Sequence, residues 1–103
     1  MAIVRYPPET VEEAVDYLQV HIAGNYEIPL LTTKKEDLDE LHFSLGNYAK
    51  GALGLWSGNE ALIESCRVAS GNKDLDVDDA SMLIITLLWE KLQAENNTGL
   101  ASG

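Results

Sequence analysis

Apolar residues recur at helical spacing in several separate runs, with polar stretches between them. In the first run Val11, Ala14, Val15, Leu18 and Ile22 share one face, while Glu12, Glu13 and Asp16 take the other. Thr10 and Glu13 form a T-x-x-E capping box ahead of it, and Gly24 is the expected stop. Asn25 to Leu31 contains Pro29 and no clear period, so it reads as a connection whose Tyr26, Ile28 and Leu30 cover core. A second box at Thr33 and Glu36 precedes Leu38, Leu41, His42, Leu45, Tyr48 and Ala49. Together they predict one helix from Lys34 to about Lys50, broken at Gly51 or Gly54.

Ser57 and Glu60 read as a third box, with Leu55 and Trp56 just ahead of a helix that carries Ala61, Leu62, Ile63 and Cys66 and closes at Gly71. Asp76 and Asp79 open the last helix, where carboxylates also suit the positive end of the dipole. Its broad stripe of Val77, Ala80, Leu83, Ile84, Leu87, Leu88 and Leu92 predicts a central, heavily buried rod. Before the first helix, Met1 to Tyr6 reads as a short extended arm stopped by Pro7 and Pro8. The small polar residues from Glu95 to Gly103 read as a frayed tail. The fold class that follows is all-α: a compact bundle of about four helices, one domain over 1–94 with a flexible tail over 95–103.

The stretch Leu41 to Asn59 gathers one of two Trp, the only Phe, one of two His and four of eight Gly. Large rings among residues that admit close backbone approach predict a junction where elements meet, an aromatic knot inside the fold.

Charge narrows the range of partners. Seventeen carboxylates against seven Lys and Arg give a net charge of −10, which disfavours direct binding to nucleic acid or an anionic membrane. The longest apolar run, Met82 to Trp89, is too short to cross a bilayer, and a single cysteine, Cys66, excludes an internal disulfide. Both features lead to the expectation of a cytoplasmic protein.

The blocks L-H-F-S-L-G-N-Y at 41–48, G-L-W-S-G-N-E at 54–60 and D-D-A-S-M-L-I-I at 78–85, with L-W-E-K-L at 88–92, resemble a small family of uncharacterised bacterial and phage proteins. In that family a block reading approximately L-H-F-x-L-G-x-x-I-R-N precedes G-L-W and D-D-A-S. The resemblance covers roughly residues 9 to 92 and implies a helical fold in a bacterial or phage setting, without an assigned activity. This chain departs from the pattern at Ala49, Lys50 and Gly51, so Lys50 is the residue that retains a basic charge there.

Candidate chemistry is sparse. His42 sits beside Leu41 and Phe43 and reads as a core histidine; an enzyme would need a nucleophile or carboxylate beside it. Cys66 follows helical apolar spacing and reads as a buried, inert thiol. Asp74, Asp76 and Asp78 place D-x-D-x-D at the start of an EF-hand pattern, but Asp79 stands where Gly is needed and Ile85 where the bidentate Glu belongs, so capping is the simpler role. No metal or other cofactor is expected. Trp56 reads either as a core plug, the favoured assignment, or as an exposed anchor for a partner, and Asn59 as a first-turn residue.

The carboxylates at 9–16, 36–40 and 74–79 read as solvated faces or as a surface offered to a basic partner. The leading expectation is a non-enzymatic protein-binding module. Its candidate contact residues are Glu36, Asp37, Asp39, Glu40, Tyr48, Lys50 and Trp56, and its sharpest form is a nucleic-acid mimic that inhibits a defence nuclease. The alternatives are a small hydrolytic or transfer enzyme using His42 with a carboxylate, and self-association through the last helix.

Overall fold

The computed structural model describes residues 7–22 and 27–102, and side chains at 27–29, 42 and 96–102 lie outside that description. Among the described residues every regular element is helical, as the sequence predicts. The expected arm at Met1–Tyr6, and Gly24 as the first stop, fall outside the described residues.

Helix α1, Val11–Ile22, buries Val11, Ala14, Val15, Leu18 and Ile22 on the face read from their spacing. Thr10 Oγ1 accepts from the Glu13 amide at 3.2 Å, as a capping threonine should. Glu13 reaches back one residue further than the usual box, accepting from the Glu9 amide at 3.0 Å. The first amide of α1, which has no acceptor inside its own helix, donates to Ser65 Oγ across the fold at 3.0 Å.

The segment read as a connection is in part a short helix, α2, Glu27–Thr32. Pro29 is compatible because it occupies the first turn, where an amide has no intrahelical acceptor to lose. The carbonyls left at its far end are taken by α5, Val77–Ser102: Gln93 Nε2 donates to Leu31 O at 2.9 Å and Trp89 Nε1 to Thr33 O at 2.8 Å.

The single helix predicted from Lys34 to Lys50 is a path of three pitches. A 3₁₀ segment, Lys35–Leu41, passes into a π turn, His42–Gly46, and then into helix α3, Asn47–Ala52. The apolar positions Leu38, Leu41, Leu45 and Ala49 stay on the inner side throughout, with Leu38, Leu45 and Ala49 buried and Leu41 packed against them. Three residues per turn align Leu38 with Leu41, and the wider π turn then spans the four-residue step to Leu45. Gly54, at φ 74°, closes α3: its amide donates to Gly51 O at 3.2 Å and the Leu55 amide to Lys50 O at 2.9 Å, the paired bonds of a Schellman end.

Helix α4, Glu60–Ser70, buries Leu62, Ile63 and Cys66 and ends at Gly71, φ 71°, as predicted. Its cap is not the expected Ser57. Asn59 Oδ1 accepts from the Leu62 amide at 3.3 Å, while its Nδ2 donates to Pro8 O and Leu53 O, both at 2.9 Å. One amide side chain thus ties the start of α4 to two other segments, which a serine hydroxyl is too short to do. Asp76 caps α5 as read, accepting from the Asp79 amide at 2.9 Å.

Helix α5 is the central rod, in contact with every other helical segment. Ala80, Ile84, Ile85, Leu88 and Leu92 lie buried along it, and the backbone continues helical through the polar stretch from Glu95. No described helix is long and apolar enough to cross a membrane.

Candidate functional site

The predicted aromatic knot does not gather Phe43 or Trp56, both of which face water, while Tyr48 is half-buried against the core. Phe43 is 82% exposed and Trp56 63% exposed, so the core-plug reading of Trp56 is wrong. Apolarity of the residue type argued for burial; position on the helix decided otherwise. Phe43 lies two residues before buried Leu45, which places it on the opposite side of a helical path. The core in this region is built from leucines, Leu45, Leu53 and Leu55, and needs no ring from either residue.

Phe43 stands on the π turn, a local widening that occurs frequently at functional sites. Two polar side chains secure that turn. Asn47 Nδ2 donates to Phe43 O at 2.8 Å and Ser44 Oγ to Leu41 O at 3.4 Å, occupying carbonyls where the hydrogen-bond ladder changes register.

Trp56 stands on the turn between α3 and α4. The ring edge carrying Cζ3 and Cε3 lies over Gly51, where a β-carbon would come within 3.6 Å, an ordinary van der Waals contact. Gly51 is eight residues beyond Phe43, roughly 10–12 Å along the helical path. The stretch from the π turn to the α3–α4 turn, on which both aromatics are exposed, is termed the ledge. A shallow cleft of about 420 Å³ opens beside it, with Gly51, Gly54, Ser57 and Glu60 on its walls.

Lys50 is buried, 5% exposed, and cannot serve as the free surface cation expected of it. Its Nζ contacts Asp78 Oδ1 and lies over the Trp56 ring, 5.4 Å from the centroid. An ammonium in that position is neutralised by the carboxylate and faces the negative surface of the indole. Asp78 keeps its side chain 57% exposed, and Ser81, buried one turn on, donates to Asp78 O at 2.8 Å. The block that opens at Leu41 and the D-D-A-S block, distant in sequence, therefore meet at an ion pair.

The other sequence candidates divide in two. Glu36, Asp39 and Glu40 are exposed on the 3₁₀ segment just before Phe43, and Asp37 is half-buried there. Tyr48 is half-buried and packs against the core instead of standing out as an anchor. His42 lies on the π turn, and its side chain, with the pairing to a carboxylate that an enzyme would need, is outside the described residues. Cys66 is buried, and burial pushes its thiol up to about 11, as an inert core cysteine requires. Of the acidic cluster before α5, Asp76 caps the helix and Asp78 holds Lys50.

Phe43 is the exposed aromatic that sequence reasoning missed, although its offset from the leucine stripe was the available signal.

These features define an acidic, all-helical domain with an open aromatic ledge. The chain belongs to the family described as a domain of unknown function, DUF6794, whose model matches residues 7–92. No curated protein and no solved structure matches it.

Proposed function

We propose that this chain is a protein-binding module whose contact surface is the ledge of Phe43 and Trp56, bordered by Glu36, Asp39 and Glu40. The observation that carries this reading is the exposure of the only Phe and one of the two Trp on a chain of net charge −10. Exposed large rings are costly to keep in water and are the residue types on which binding energy concentrates. The carboxylates attract a basic partner over distance, and the rings hold it at contact. The blocks that carry the family resemblance suit a bacterial or phage setting, and the acidic charge and small size suit an inhibitor or adaptor as the working role.

Affinity capture from the native host, with the unaltered chain and with a Phe43→Ala/Trp56→Ala variant, tests the proposal. A partner that is lost with the variant and weakens as salt rises supports it. A partner held equally by both chains at all salt concentrations, or none, contradicts it.

A further inference from the structure

Resting on that protein-binding reading, we infer the chemistry of the partner: the ledge takes an arginine-bearing segment of a protein, with a guanidinium stacked on the Trp56 indole beside Glu60 and an apolar neighbour on Phe43.

Charge complementarity selects the occupant. Between Glu36 and Glu60 the chain carries Glu36, Asp37, Asp39, Glu40 and Glu60 against Lys50 as its one Lys or Arg, and Lys50 is buried against Asp78. Within that span, among the described residues, the exposed groups are therefore anionic and aromatic, with no exposed lysine or arginine. A phosphate-bearing partner is repelled there, and a purely aliphatic one leaves the carboxylates without use. The indole already holds one cation at 5.4 Å, which shows that its position suits cation–π contact, while most of the residue remains open to solvent. Glu60 lines the adjoining cleft together with Gly51, over which the indole edge lies.

Arginine fits better than lysine. Its planar guanidinium is more weakly hydrated, stacks flat on an aromatic face and pairs with a carboxylate through two parallel bonds, whereas an ammonium does neither.

The test is calorimetric titration of the full chain with a short synthetic peptide carrying Arg and Leu at helical spacing. Two control peptides replace every Arg by Lys, or every Leu by Ser. The Arg peptide is expected to bind tighter than the Lys peptide, and Trp56→Ala to weaken the Arg peptide about two- to fivefold, the scale of one exposed cation–π contact. Trp56→Ala should abolish that preference, Trp56→Phe should keep part of it, and Glu60→Gln should weaken the Arg peptide. The Ser peptide should bind more weakly to the unaltered chain but equally to Phe43→Ala.

Equal binding of the Arg and Lys peptides, an Arg preference that survives Trp56→Ala, or no binding of any peptide overturns the inference. A host partner that depends on Phe43 and Trp56 but contacts them without arginine overturns this inference alone. Absence of any partner dependent on those rings removes the protein-binding reading as well.

Discussion

Helix α5 and the path from Lys35 to Trp56 are both rich in large apolar residues, yet one conceals them and the other displays two. Along α5 the pitch is constant, and Ile84, Ile85, Leu88 and Leu92 turn inward where the other elements close over them. Along the second path the pitch changes twice, the leucines keep the inner side, and Phe43 and Trp56 are left outside. Spacing governs burial in both regions; residue type alone predicts it only where spacing agrees. The difference also sets the large apolar side chains that the core encloses apart from those it leaves exposed.

Substitutions should break the comparison in a definite order. The largest effect belongs to Leu88→Ala, which empties a fully buried site and should cost about 3 kcal/mol or more in chemical denaturation. Phe43→Ala and Trp56→Ala should each cost less than about 1 kcal/mol in the same experiment, because little of either residue is withdrawn from water. A cost for Trp56→Ala equal to that for Leu88→Ala would place the indole in the core.

Asn59→Ala comes next, at about 2 kcal/mol, since it removes a helix cap together with the bonds to Pro8 O and Leu53 O.

The Lys50–Asp78 pair sharpens the contrast because its two ends differ in exposure. Asp78→Ala leaves a buried ammonium without its counter-charge and should be the costlier change, at about 2 kcal/mol. Lys50→Met keeps the apolar stem, leaves a hydrated carboxylate, and should stay within about 1 kcal/mol of the parent. The reverse order in thermal unfolding would show that the ammonium is not enclosed.

A further effect is alkaline. The Cys66 thiol is pushed up to about 11 in the fold, so the unfolded chain ionises first as pH rises past its ordinary range. Stability from this group is intact below the unfolded value. It should fall by at most about 1.4 kcal/mol per pH unit until the folded thiol also ionises. Cys66→Ala should remove that part of the slope in denaturation curves taken at stepped pH.

The helices were legible in the sequence to the extent that caps and period agreed. Thr10, Asp76 and Gly71 act as read, and the stripe from Ala80 to Leu92 gives the central rod. Ser57 failed as a cap because Asn59, two residues on, can accept from α4 and donate to two carbonyls at once. The pitch changes before α3 were not legible, because 3₁₀, α and π turns all tolerate apolar steps of three and four residues.

The site was half legible. Exposed Glu36, Asp39 and Glu40 follow from their offset to Leu38, and Trp56 was named as a candidate anchor. Lys50 was not readable as buried, since its partner Asp78 lies in a distant block and only the fold brings the two together.

Solvent exchange at the two indole N–H groups tests the open ledge most directly. Trp89 Nε1 donates to Thr33 O inside the fold, whereas Trp56 is largely exposed and meets Gly51 through its opposite ring edge. Nuclear magnetic resonance should find the Trp56 indole proton exchanging rapidly with water and the Trp89 proton protected. Protection of both, or of Trp56 in place of Trp89, would contradict the account.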